Sequence, residues 1–317
     1  MLELHWGLPV ILYLFLGGLG AGAGTVSASI FLRSGGGDLA GSNFRFARWG
    51  ALVAPIAVIV GTGMIVLELG SFQTGHWFKW INLFKTINLS PMSIGSWMLA
   101  LFILVSLVYA YTFLPDDAHP GDHRHRLRKV LAWVMVPLGV GVALYTGILL
   151  GAMPSRPFWN SPILALLFLV SALSTGVAAI ILLRALFGHK NKIDADNFER
   201  NSYMLSSSDM LLIGFEVLVV FLFVMYAHLT IGGVEDAVSV ITGGPLTSQF
   251  WFGFVVLGLL LPVVIELKYV FPTLLYQKQF VMPRTMEVLV CLLVLAGGFL
   301  LRYIVVIAGQ ITGPVGI

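Results

Sequence analysis

The 317 residues are 58% hydrophobic and only 10% charged, with a mean hydropathy of +0.94. Soluble globular proteins carry about 25% charged residues, so lipid rather than water is the main solvent here. The net charge of +3 gives no sign of nucleic-acid binding, and the single cysteine, Cys291, excludes an intrachain disulfide and a four-thiolate iron–sulfur cluster.

Eight apolar runs follow along the chain, over roughly 8–32, 50–70, 92–114, 130–151, 162–186, 209–231, 249–271 and 285–308. A span needs ~20 apolar residues to cross ~30 Å of hydrocarbon. The runs are continuously apolar rather than alternating, which predicts an all-α integral membrane protein of eight transmembrane helices and not a barrel. Met1 to His5 carry no basic stretch and the first run is long enough to stay as a span, so no cleavable signal peptide is expected.

Basic residues gather in alternate loops: Arg33, Arg45 and Arg48; Arg124, Arg126, Arg128 and Lys129; Arg184, Lys190, Lys192 and Arg200; Lys268, Lys278 and Arg284. The opposite side has only Lys79, Lys85 and Arg156. The positive-inside rule then puts both termini outside, on the periplasmic side in a bacterium. The outer segment from Ser71 to Ser90 is rich in Phe and Trp. It reads either as an aromatic belt or as an interfacial helix or docking surface.

Within the first span, Gly17, Gly18, Gly20, Gly22 and Gly24 crowd together. Two readings stand: close helix packing, which small residues favour in lipid, and a cleft left open for a flat ring. Spans one and five echo each other, both opening on Leu-Phe-Leu, passing through small residues and closing on Arg33 or Arg184. That echo hints at two parallel four-helix repeats.

Ionisable groups inside spans are costly and tend to be functional. The candidates are Glu68, Glu216, His228, Glu266, Glu287 and Arg302, with Asp209 near a span end. By depth, Tyr13, Glu68 and Tyr145 fall in one outer layer. His228 and Arg302 share a depth, and Glu216, Glu266 and Glu287 lie toward the inner side. A membrane quinone needs hydrogen-bond partners for its two oxygens and a base for its protons, which a carboxylate and tyrosines in an apolar cleft supply. The plainer alternatives are an interfacial carboxylate for Glu68, an ion pair or anchor for Arg302, and helix-end placement for Glu266 and Glu287. Of the seven histidines only His228 is well inside a span, so no paired haem ligands are expected. Neither a phosphate loop nor a zinc spacing is present. Electrons are then expected to pass between quinone and an external partner.

The segments YLFLGGLGAG from Tyr13, PMSIGSW from Pro91, YTG from Tyr145, PFW from Pro157, Ser161 to Gly176, and LRYIVVIAGQ ending at Gln310 resemble the membrane subunit of polysulfide reductase and its relatives, the NrfD-like family. The resemblance covers the whole sequence. It implies two four-helix bundles, residues 1–151 with the quinone site and residues 152–317 as a possible proton-path bundle. It further implies no cofactor of the protein's own, an exchangeable menaquinone or ubiquinone, and a periplasmic four-cluster iron–sulfur subunit. That subunit would link to a molybdopterin catalytic subunit or a multihaem cytochrome. The family's polar residue early in span one and its tyrosine in span four fall on Tyr13 and Tyr145. Some relatives have histidine at the first of these. Glu68 fits the family's acidic residue, giving Glu68 and Tyr145 as catalytic candidates. Tyr13, Glu68, Tyr145, Gly17 and His76 are then expected to bind quinone, and Glu216, His228, Glu266 and Arg302 to carry protons. No metal site is expected. The rival reading is a secondary transporter or ion channel, which the buried carboxylates and the repeat also fit. On either reading the protein is expected in the cytoplasmic membrane of a bacterium or archaeon, as a multi-pass protein.

Overall fold

A computed structural model describes residues 6–33, 42–68, 81, 90–114, 124–187, 195–230, 233–276 and 278–313, without the side chains of residues 42, 43, 67, 68 and 195–201. His76, the aromatic stretch 71–89 apart from Ile81, and the side chain of Glu68 therefore lie outside the described residues. Among those described, nine helices form: α1 (Leu8–Arg33), α2 (Ser42–Glu68), α3 (Pro91–Thr112), α4 (Arg124–Gly151), α5 (Ile163–Phe187), α6 (Ala195–Leu229), α7 (Gly233–Thr242), α8 (Gln249–Tyr276) and α9 (Arg284–Ile311). All but α7 are long and apolar enough to cross a membrane, and no strand occurs among the described residues. The expected eight-span, all-α architecture stands.

Several helices start earlier than their apolar runs. The α2, α4 and α6 helices begin at Ser42, Arg124 and Ala195, because Arg, Lys and Glu are good helix formers and the backbone need not unwind where lipid ends. The 35 residues of α6 rise about 52 Å at ~1.5 Å each, well beyond the ~30 Å hydrocarbon layer. The short helix α7 has no counterpart among the apolar runs. It buries Ala237, Val238, Val240 and Ile241 and carries Glu235 and Asp236 in its first turn, where acidic groups suit the helix dipole. The first part of α8, Gln249–Leu260, is π-helical, with the α form resuming at Leu261. The segment PMSIGSW opens α3. Ser90 caps the helix by accepting a hydrogen bond from the Ser93 amide at 3.3 Å, and Pro91 takes the first turn, where its missing N–H costs nothing.

The α1 and α5 helices form the centre, packing on each other, while α1 also meets α2 and α4, and α5 also meets α6 and α9. Glycines set these approaches. A methyl at Gly22 would overlap the Ala172 carbonyl, and one at Gly176 would overlap the Gly22–Ala23 backbone. Gly20 accommodates Val58 and Ala54 of α2, and Gly24 accommodates Met135 of α4. Gly17 differs: its nearest neighbour across open space is the Tyr13 ring, at 4.0 Å. The packing reading of the glycine run holds at Gly20, Gly22 and Gly24, whereas Gly17 is not a close-packing position. Toward the Arg33 end of α1, Phe31, Phe44, Tyr109 and Phe113 interlock, with the Arg128 guanidinium over Phe44 and Phe113 at 5.1 and 4.8 Å.

Candidate functional site

At the end of the fold where α1 begins and α4 ends, a cavity of about 380 Å³ opens between α1, α2, α3 and α4. One wall consists of Trp6, just before α1, and Val10, Tyr13 and Leu14 of α1. Val10, Tyr13 and Gly17 are spaced by three and four residues, which sets them on one stripe of α1, with Trp6 standing just before the helix. The cavity-lining Val10 and Tyr13 thus share a face of α1 with Gly17. Ile65 of α2, Ser90 to Met92 at the start of α3, and Leu149 to Met153 around the end of α4 complete most of the wall. The lining is largely apolar, with Tyr13 and Ser90 its residues that carry a side-chain hydroxyl, as in small-molecule sites generally.

Tyr145 is buried and does not line the cavity; it stands behind Tyr13, the two phenols interacting with each other. Its ring occupies the space where a side chain at Gly95 of α3 would be. The Ser-Ile-Gly-Ser turn of α3 therefore carries a glycine because a tyrosine from α4 fills that position. Glu68 ends α2 three residues beyond Ile65, which lines the cavity. The fold thus brings Tyr13, Tyr145, Gly17 and the backbone of Glu68 to one region.

A second set of polar groups lies deeper. Arg302 of α9 is fully enclosed. It donates to Ser171 Oγ and, at 3.3 Å each, to the carbonyls of Gly298 and Phe168, with its guanidinium 4.8 Å from the Phe168 ring centre. Glu216 of α6 bonds the same Ser171 and lies within electrostatic reach of Arg302. Asp209, two turns from Glu216 on α6, accepts from Ser174 at 3.0 Å and faces Glu266 of α8. All three carboxyls are buried, and each has one oxygen with no protein donor. Beyond them, Arg184 pairs with Glu287 and Ser202, and Cys291 lies between this pair and the acids. Among the described residues no group of three or more His, Cys, Asp or Glu is arranged to hold a metal.

Three placements correct the sequence reading. His228 lies in the last turn of α6 with its side chain exposed, apart from the buried acids. Its helix continues to the bundle edge, so lying inside an apolar run does not put it inside the protein. Asp209, at a span end by its apolar run, is wholly buried; its two-turn spacing from Glu216 is the signal that identifies it. Glu216 lies mid-helix and meets Arg302, although the apolar runs put the two at different depths. Arg302 is neither exposed nor interfacial, and Glu287 holds the helix-end position expected, paired with Arg184. A methyl at Gly18 would stand 3.3 Å from Arg302 Nη2. The α1 helix therefore carries the cavity-lining Val10, Tyr13 and Leu14 and, at Gly18, a close approach to Arg302.

The family model described as Polysulphide reductase, NrfD matches residues 2–314. The sequence is 32% identical to one of the chains of polysulfide reductase from Wolinella succinogenes, an alignment covering 96% of this protein and 94% of that one. It is 29% identical to protein NrfD of Escherichia coli, covering 98% and 96%. It is 23% identical to one of the subunits of selenate reductase from Mesobacillus selenatarsenatis, covering 82% of this protein and 66% of the relative. With eight long apolar helices and these bacterial relatives, the protein is a multi-pass protein of the inner membrane.

Proposed function

We propose a function from the premise that this chain belongs to the polysulphide reductase NrfD family: it is the quinone-reactive membrane anchor of a multisubunit oxidoreductase. The observation that carries the reading is the apolar cavity faced by Tyr13, with Tyr145 behind it and Gly17 leaving space below. Its size falls within the ~300–1,000 Å³ usual for small-molecule sites. Menaquinol or ubiquinol enters this cavity from the lipid. The Tyr13 hydroxyl, oriented by Tyr145, bonds one quinol oxygen, and Glu68 at the end of α2 receives protons.

Oxidation of one quinol to quinone releases two protons and two electrons. The electrons pass to a four-cluster iron–sulfur subunit docked on the periplasmic face, beyond which a molybdopterin subunit or multihaem cytochrome acts on the terminal substrate. Reduction of quinone runs the same steps backwards. The anchor is not itself catalytic for that terminal substrate. Two of the relatives are named as single components of multi-component reductases, which supports the anchor role. Both termini face the periplasm, following the basic loops. Residues 1–151 form the quinone bundle and residues 152–317 the second bundle.

A coupled proton movement is favoured by one further observation: Arg302, Glu216, Asp209 and Glu266 form a buried series reaching toward the Arg184–Glu287 pair. Intramembrane acids of this kind mark proton relays. In this reading protons enter at the Arg184 end and pass Glu266, Asp209 and Glu216 in turn.

The test is purification of the complex from its native membrane, followed by titration with a quinol analogue and analysis of iron and labile sulfide. The expected result is analogue bound by this protein, with iron and sulfide confined to the partner. A protein that purifies alone, binds no analogue and moves a solute in proteoliposomes would replace the anchor reading with a transporter.

A further inference from the structure

The cavity wall contains a residue whose position is set from the far end of the fold. Trp6 lies just before α1 and lines the cavity together with Tyr13. Its peptide is held from both sides by one carboxamide 304 residues away. The Trp6 N–H donates to Gln310 Oε1 at 2.9 Å, and Gln310 Nε2 donates to the Trp6 carbonyl at 3.0 Å. The same Nε2 also donates to Val306 within α9, at 3.2 Å, which fixes the carboxamide's orientation.

The Trp6 ring is held too. It stacks on Trp159, with ring centres 5.1 Å apart and planes 19° apart. Trp159 is itself fixed: its indole N–H donates to the Val305 carbonyl at 2.7 Å, and Gly309 lacks a side chain where the indole sits. Arg156 covers the indole with its guanidinium at 5.1 Å and donates to the Gly309 carbonyl at 2.9 Å. A tryptophan before a helix has no backbone ladder to hold it, so these contacts decide where its ring stands. Packing alone needs only an apolar residue there. A two-sided carboxamide clamp and an aromatic stack give a defined position as well.

We propose that Trp6 is an affinity-determining wall of the quinol cavity and that Gln310 and Trp159 are positioning residues acting through it. The inference rests on the quinol reading above and adds to it three residues outside α2, α3 and α4. Trp6 and Tyr13 line the same cavity, so the indole offers an apolar surface beside a ring held at Tyr13. Holding that face in place before binding spares the quinol the cost of ordering it.

The test uses the intact complex from native membranes and a fluorescent quinol analogue of the hydroxyquinoline class. Gln310→Leu, which removes both hydrogen bonds to Trp6, is expected to weaken analogue binding about tenfold, the scale of two modest hydrogen bonds. It raises KM for a short-chain quinol by a similar factor and leaves kcat at saturation unchanged. Trp6→Ala is expected to lose at least as much affinity, and the Trp6→Ala/Gln310→Leu pair no more than Trp6→Ala alone, since residues acting through one element are not additive. Wild-type affinity in Gln310→Leu, or losses that simply add, would overturn the proposal. If Gln310→Leu does not accumulate, Gln310→Glu keeps the acceptor half of the clamp at the same size. About a threefold loss is expected of it, and wild-type affinity again overturns the proposal. A wild-type complex that binds no analogue sinks the quinol reading and this inference with it, whereas binding that is indifferent to Gln310 sinks only this inference.

Discussion

The phenol ring of Tyr145 in α4 fills the space that a side chain at Gly95 in α3 would take. The glycine is thus matched to a tyrosine from another helix, next to the cavity. Gly95→Ala must push that ring aside, and overpacking of this kind costs about 1–3 kcal/mol. We expect the variant to accumulate in the membrane and to bind quinol analogue about tenfold more weakly, the lower half of that energy range. Equilibrium titration checks this, and unchanged affinity would separate Tyr145 from the site.

Tyr13→Phe keeps the ring in the cavity wall and removes only the hydroxyl, which interacts with Tyr145. A hydrogen bond of ordinary net strength is worth about 0.5–1.5 kcal/mol, so KM for quinol should rise about two- to tenfold. Initial rates with a short-chain quinol provide the measurement. A change in kcat alone would assign the phenol to the proton step instead.

Two glycines of one helix should behave oppositely. A methyl at Gly17 meets nothing closer than the Tyr13 ring at 4.0 Å, whereas one at Gly22 overlaps the Ala172 carbonyl. Gly17→Ala is expected to accumulate like the wild type, and Gly22→Ala to be strongly depleted from membranes. Quantitative blotting of membrane fractions decides. Equal accumulation of both would contradict the close approach of α1 to α5.

Arg302→Met removes the cation beside Glu216 and the donor to Ser171, Gly298 and Phe168. Breaking a buried pair from one side costs about 3–5 kcal/mol. A clear fall in Tm of the detergent-solubilised protein is expected. Adding Glu216→Gln should recover part of it, because the stranded charge is gone. No recovery would mean that Arg302 acts through the backbone carbonyls alone.

Proton movement, if carried by the buried acids, should fail without stopping electron transfer. Asp209→Asn and Glu216→Gln are each expected to abolish pH changes across proteoliposomes while leaving uncoupled quinol turnover near wild type. His228→Ala, at an exposed position, should change neither. Dye-reported proton uptake distinguishes the outcomes, and full coupling in Asp209→Asn would remove that residue from the path.

The eight spans are legible in the sequence because an apolar run of the right length has one stable conformation in lipid. Depth along a span is legible for Tyr13 and Tyr145, which do interact, but not for Glu216 and Arg302, which meet although their runs put them at different depths. Facing is not legible. A span that is apolar all round carries little periodic signal, so nothing in the sequence distinguishes exposed His228 from enclosed Arg302. Asp209 is easily passed over because the apolar run starts at that residue, whereas α6 begins fourteen residues earlier, at Ala195. The π-helical part of α8 and the Trp6–Gln310 clamp leave no trace that local spacing registers. The first packs against α9 through Gly258 and Gly297, and the second joins residues 304 positions apart.

The clamp also bears on how the protein is made. Helices enter the bilayer in order of synthesis, and Trp6 emerges long before Gln310. Until α9 has been threaded and docked, the tryptophan has no carboxamide to hold it, and the cavity lacks one finished side. The cavity wall is thus complete only when the two ends of the polypeptide have closed on each other.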